Sequence, residues 1–144
     1  MSSLRHIGIV VTDIDIDKEV WIKGLNFQVV SDHVEMGKEI EELIGEEGAK
    51  LRSLKLRPKK GGVLVELIQF YFPPSVERRN NHIVNNLGIT HIALTVSSLN
   101  ELLDNLMHYG VRSIGRITRS KNGRTKGVYV ATSNGVLLEL VEEL

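Results

Sequence analysis

Four side chains in two matched pairs carry the chemistry this chain has to offer. Glu66 stands inside the aliphatic run GVLVEL at 62–67, and Glu139 inside its near copy, GVLLEL, at 135–140. His6 and His91 each lie near the start of an alternating, β-branched run, LRHIGIVV at 4–11 and ITHIALTV at 89–96. An ionised carboxylate in an apolar strand is costly unless it is paired or holds a metal. Taken singly, each glutamate reads as an edge or ion-paired residue, and each histidine as a satisfied or exposed one. Two copies in corresponding places ask for a common reason. The chain has no cysteine, which removes disulfides, thiolate sites and cysteine nucleophiles together. Any metal must then be held by His, Asp and Glu. Two imidazoles and two carboxylates suit a borderline divalent ion such as Zn, Ni, Co, Mn or Fe(II), with open positions where a substrate oxygen can replace water. His6, Glu66, His91 and Glu139 are therefore the expected metal ligands.

The remaining polar residues divide into weaker candidates. Arg119, Lys121, Arg124 and Lys126 fall in one glycine-containing loop. That loop either receives a carboxylate or phosphate or is a solvated hairpin. Arg52 lies in a strand-like run, where it anchors an anion or pairs with a glutamate. His33 reads as a surface residue near the possible pocket, His82 as a linker residue, and His108 as a helix-end residue with a local electrostatic reason to be there. Trp21 and Met107 read as helix-face core residues.

The elements that must position these groups follow from periodicity. Strands are expected over Leu4–Val11, Phe27–Met36, Ala49–Arg57, Val63–Phe70, Ile89–Val96, Val111–Thr118, Gly127–Ala131 and Val136–Val141. One helix is expected from Ile14 to Lys23, with Ile16, Val20 and Trp21 on its apolar face and Gly24 ending it. A short amphipathic helix or flap fits Gly37–Gly45 through Ile40, Leu43 and Ile44. A third helix begins at Ser98, where Ser98 and Glu101 have capping-box spacing, and Gly110 closes it.

The order strand, helix, three strands thus occurs twice. Superposing His6 on His91 gives an offset of 85, and superposing Glu66 on Glu139 an offset of 73. The first half accordingly holds about 12 extra residues, most of which the Gly37–Gly45 flap and its flanks absorb. An internal repeat of this kind is a strong architectural signal. The expected organisation is a first βαβββ module at 1–72, a linker at 73–88 and a second βαβββ module at 89–144, forming one structural domain of 144 residues.

Composition excludes several classes. Hydrophobic residues make up 42% and charged residues 25%, ordinary for a globular protein. The 18 basic and 18 acidic side chains cancel, which argues against nucleic-acid binding. No apolar run is long enough for a membrane span. The opening MSSLRH lacks the apolar core of a secretory signal, so a cytoplasmic location is expected.

The chain resembles the vicinal oxygen chelate superfamily of glyoxalase, bleomycin-resistance and extradiol-dioxygenase proteins. The resemblance runs over nearly the whole chain and is carried by Arg5-His6 with the following Asp13-Ile14, by 24–27 (GLNF), by Val65-Glu66-Leu67, by Thr90-His91, by 108–111 (HYGV), and by Leu138-Glu139-Leu140. It implies an α+β fold of two tandem βαβββ modules, whose curved mixed sheets form a metal-binding cleft. In the family's lactoylglutathione lyases the ligands fall where His6, Glu66, His91 and Glu139 stand. Methylmalonyl-CoA epimerases look similar but usually carry glutamine in place of Glu66. The implied activity is that of a lyase, isomerase or epimerase moving a proton next to a metal-bound carbonyl or thioester, with Glu139 as the base and Glu66 as its pseudo-symmetric alternative. The implied substrate is a small molecule such as a thiol adduct or acyl-CoA, whose anionic groups Arg52, Arg119, Lys121 and Arg124 would hold. The family also implies a homodimer, with modules pairing within or between chains. Two rivals come with it: an Fe(II) extradiol dioxygenase, which uses two histidines and one glutamate, and a non-catalytic drug-binding protein, which has no need of the His/Glu pairs.

Overall fold

The computed structural model describes residues 1–77 and 84–144; His82 lies outside them. The fold is α+β and divides into two compact units, Met1–Glu77 and Arg78–Leu144.

In the first unit, β1 (His6–Val10), β2 (Phe27–Met36), β3 (Lys50–Pro58) and β4 (Leu64–Phe72) form one mixed sheet. Its order is β1-β4-β3-β2, with β1 and β4 parallel and the other neighbours antiparallel. Helix α1 (Ile14–Glu19) connects the parallel pair's first strand to β2, and α2 (Lys38–Ile44) lies between β2 and β3. Alternation sends Ile9, Leu54, Leu56, Val65 and Leu67 to one face, all buried, together with Ile14, Val20 and Trp21 from the helical segment. Burying each such side chain contributes about 1.5–3 kcal/mol. The opposite face carries His6, Gly8, Glu66 and Ser53, because Gly8 pairs with Glu66 and Ser53 with Ile68.

The second unit repeats the plan. Strand β5 (His91–Val96) runs parallel to β9 (Leu137–Glu143), and β8 (Thr125–Ala131) is antiparallel to β9. Two short strands, β6 (Arg112–Ser113) and β7 (Thr118–Arg119), pair with β8. Helix α3 (Leu99–Met107) brings Leu99 and Leu106 to the buried Val128, Val130, Leu138 and Leu140. His91, Ala93, Tyr129 and Glu139 share the other face.

The repeat extends to details that the sequence pattern does not display. The small residues Gly8 and Ala93 stand directly opposite the two glutamates. Each last strand also holds the start of its unit's helix: Gln69 Oε1 accepts from the Ile14 amide at 2.9 Å, and Glu142 Oε2 from the Leu99 amide at 2.6 Å. The offsets from Ile14 to Leu99 and from Gln69 to Glu142 are the same 85 and 73 found for the histidines and glutamates. The connection from β2 to β3 takes 13 residues and that from β7 to β8 takes 5, so the α2 segment does hold most of the extra chain.

Several local expectations need correction. The helix from Ile14 does not continue regularly to Lys23. A π-turn over Val20–Gly24 follows α1, with the Leu25 amide bonding the Val20 carbonyl at 2.8 Å. Ile16 is 66% exposed, because helical geometry puts it opposite Ile14; the buried position is Asp17. Ser98 makes no side-chain cap bond; the first amide of the helix, that of Leu99, is held instead by the Glu142 carboxylate across the sheet. Met107 is exposed rather than core, one position past Leu106 and thus turned about 100° from the apolar stripe. Of the apolar trio in α2, Ile40 alone is buried, while Leu43 and Ile44 face outward. The strand expected over Val111–Thr118 leaves its ladder after Ser113 and rejoins it at Thr118; the Ile114 amide still reaches the Tyr129 carbonyl at 2.8 Å. Such interruptions re-aim side chains and occur often beside functional sites.

Candidate active site

Each unit joins one histidine to one glutamate. In the first, His6 Nε2 stands 2.9 Å from Glu66 Oε2. Ser53, fully buried, donates its hydroxyl to Glu66 Oε1 at 2.6 Å. Both oxygens of Glu66 are thereby engaged, and its side chain is only 13% exposed. Gly8 stands level with Glu66, two residues along β1 from His6, so the imidazole reaches diagonally past a position with no side chain to β4. His6 Nδ1 is buried and has no hydrogen-bond partner among the described residues, so the ring is held from its Nε2 side.

In the second unit, His91 Nε2 lies 3.1 Å from Glu139 Oε2. The ring is held from both sides, with Thr90 Oγ1 2.8 Å from Nδ1 and the Tyr129 hydroxyl 3.4 Å from Nε2. The Tyr129 ring packs edge-on against the imidazole at 5.0 Å. Glu139 is 33% exposed, and its Oε1 makes no hydrogen bond to a described residue. It lines a pocket of about 470 Å³ that opens where the chain leaves the ladder between β6 and β7, with Arg116, Thr118, Arg119, Gly127 and Tyr129 also on its walls.

Among the described residues no three His, Asp or Glu side chains gather in one cluster; the donors come in pairs. Their chemistry fits a divalent ion. Two donors each about 2.1 Å from one ion at a right angle stand about 3.0 Å apart. The 2.9 and 3.1 Å separations match that spacing as well as they match a hydrogen bond.

The other candidates are placed as follows. Arg52 Nε and Nη2 bond Asp32 at 2.9 and 2.8 Å, and Nη1 bonds Asp15 at 3.0 Å. The Arg52 guanidinium, then the Lys18 ammonium, pull the Asp15 carboxyl down to about 2. Arg52 likewise lowers Asp32, and the two aspartates raise Arg52 further. The positive charge of Arg52 is thus compensated within its own unit. His33 lies opposite Ser53 on the Glu66 face and bonds Glu35 at 2.8 Å. Lys121 and Arg124 are exposed on the β7–β8 turn, Arg119 Nη1 reaches the Gly123 carbonyl at 3.3 Å, and Lys126 pairs with Glu142 at 3.1 Å. The Leu99 amide and then Lys126 hold the Glu142 carboxyl below its ordinary value. His108 ends α3, as expected.

Sequence reasoning missed Ser53, Thr90, Tyr129 and Arg116. The signal available for Tyr129 was alternation: it lies one strand from Glu139 and opposite it in register. Nothing in the sequence pointed to Ser53, because its role depends on the β3–β4 pairing.

The model of the Glyoxalase/Bleomycin resistance protein/Dioxygenase superfamily matches residues 3–140. A glyoxalase family protein from Bacillus cereus is 21% identical, with a TM-score of 0.92 covering 100% of this chain and 95% of that one. The trypanothione-dependent glyoxalase I of Leishmania major is 19% identical, with a TM-score of 0.68 over 99% of this chain and 88% of its own. The fosfomycin resistance protein FosX of Listeria monocytogenes, in complex with Mn(II) and 1S,2S-dihydroxypropylphosphonic acid, is 14% identical, with a TM-score of 0.63 over 97% and 89%. At these identities the structures establish the shared fold. Among the described residues no helix is long and apolar enough to cross a membrane. On the match over 3–140, the chain belongs to the Glyoxalase/Bleomycin resistance protein/Dioxygenase superfamily.

Proposed function

We propose that the chain is a divalent-metal-dependent lyase, isomerase or epimerase that moves a proton on the carbon next to a substrate carbonyl or thioester. His6, Glu66, His91 and Glu139 are assigned as the metal ligands, with the ion drawn from Zn, Ni, Co, Mn and Fe. A divalent ion in this donor set supplies Lewis-acid stabilisation of charge developing on a substrate oxygen. The complex of FosX with Mn(II) supports the cofactor assignment.

One observation carries the reading: the two glutamates are not equivalent. Glu66 has both oxygens occupied, by His6 and Ser53, and little exposure. Glu139 keeps Oε1 free and borders the pocket. The first suits a fixed ligand, and the second a base that takes a proton at Oε1 and returns it. Thr90 and Tyr129 fix the His91 ring beside it, so that the Glu139 carboxylate is aimed rather than loose. Tyr129 lines the same pocket and holds its hydroxyl 3.4 Å from His91 Nε2, where it could donate a hydrogen bond to a substrate oxygen. We also propose a homodimer, on the strength of the exposed apolar side chains Val34, Met36 and Leu43; sedimentation velocity tests it.

The test is proton exchange. Protein reconstituted with Ni, Co or Zn is offered hemithioacetals and acyl-CoA thioesters in D₂O, and deuterium at the carbon next to the carbonyl is followed by NMR. Exchange is expected, with Glu139→Gln slower by about 10²–10⁴-fold, the range of a general base. Oxygen uptake with catechols by the Fe(II) form, without proton exchange, would replace this reading by ring cleavage. Drug binding without metal or exchange would replace it by sequestration.

A further inference from the structure

The strand beside each glutamate sets one residue directly against it. In the second unit that residue is Tyr129, opposite Glu139; in the first it is Lys55, opposite Glu66. Residues paired in this way share a face, with Cβ atoms about 4.5–5.5 Å apart. Lys55 therefore stands on the face that carries His6, Ser53 and Glu66. Opposite charges so placed attract, yet here they do not bond. Glu66 gives one oxygen to His6 and the other to Ser53, and the half-buried Lys55 makes no hydrogen bond or ion pair with a described residue. Its neighbour on β2 is Ser31, and the charged residues that follow on that face, His33 and Glu35, bond each other. A positive charge is thus kept beside the first His/Glu pair without being tied to anything. The corresponding Tyr129 brings no charge to the second pair.

We propose that Lys55 sets how tightly the metal site holds its ion. The inference rests on the assignment of His6 and Glu66 as ligands. The ammonium opposes a divalent cation bound at Glu66, and it is the nearest counter-charge in the register for that carboxylate when the cation leaves. Both effects loosen the ion and keep it exchangeable. A single and a double positive charge about 6 Å apart in water-like surroundings repel by an amount worth about tenfold in affinity.

The test uses the full chain, stripped with chelator and reloaded with Zn(II) in competition with a chromogenic chelator. Lys55→Met keeps the stem and removes the charge; it should bind Zn(II) about tenfold more tightly than wild type, and Lys55→Gln should do the same. Lys55→Arg keeps the charge and should bind like wild type, as should Lys59→Met on the exposed β3–β4 turn. The gap between Lys55→Met and wild type should narrow at high salt, because the charge remains in contact with water. A merely structural role would lower the urea midpoint and weaken binding, with no such dependence on salt. Unchanged or weakened affinity in both neutral variants, or a gap indifferent to salt, would overturn the proposal. The two failures are distinguishable. A wild-type chain that takes no Zn(II) removes the ligand assignment and this inference with it, whereas equal binding by wild type and the neutral variants removes the role of Lys55 alone.

Discussion

Replacing Ser53 by alanine removes one hydroxyl and little else. Its Oγ donates to Glu66 Oε1 at 2.6 Å, short for a hydroxyl and characteristic of a charged acceptor. Ser53 is 0% exposed and Glu66 13%, so water has poor access to take its place. The cavity term is small because only an oxygen is lost. A hydrogen bond to a charged group contributes about 1.5–3 kcal/mol. With a urea dependence of about 2 kcal/mol per molar, the unfolding midpoint should fall by about 1 M. If Glu66 holds a metal, loss of the group that orients it should also weaken affinity by about 10–100-fold. Urea unfolding of the metal-free protein and competition against a chromogenic chelator read the two effects separately. A midpoint within about 0.3 M of wild type at unchanged slope would refute the stability argument. Unchanged affinity alongside a lowered midpoint would show that Ser53 supports the fold but not the site.

Three further outcomes follow. Gln69→Leu leaves the fully buried Ile14 amide without its acceptor and should cost about 1–3 kcal/mol in urea unfolding; no change would mean that the strand does not hold the helix start. Leu140→Ala, at 0% exposure, should cost about 2–5 kcal/mol and lower the melting temperature measured by calorimetry. The carboxyls of Asp15, Asp32 and Glu142 are depressed in the folded chain, so the stability they contribute is present above the ordinary carboxylate range and lost as pH falls through their lowered values, about 2 for Asp15. Urea midpoints should therefore drop between pH 5 and 2, by a modest amount because solvent screens these exposed pairs, and Arg52→Leu should flatten that slope by releasing both aspartates.

The architecture was legible because it was written twice. Two offsets, taken from His6/His91 and Glu66/Glu139, also predict the partners of Ile14 and Leu99 across the sheet, although neither bond has a local sequence signature. What escaped was whatever depends on register. Ser53 becomes a partner of Glu66 through the β3–β4 pairing, and Arg52 finds its two aspartates on α1 and β2. Helix faces failed where the helix was short: in α1 a single turn decides between Ile16 and Asp17, and tertiary burial chose the latter. The broken strand after Ser113 escaped because its residues alternate well enough to be one strand, yet its interruption opens the pocket.

The central claim is that two His/Glu pairs bind one divalent ion. Elemental analysis of protein purified without chelator, beside the His6→Ala, His91→Ala double variant, tests it most directly. The account predicts about one divalent ion per chain in the wild type and none in a folded variant. A wild-type chain that stays empty after incubation with Zn, Ni, Co, Mn and Fe(II), or a variant that retains the wild-type content, would contradict it.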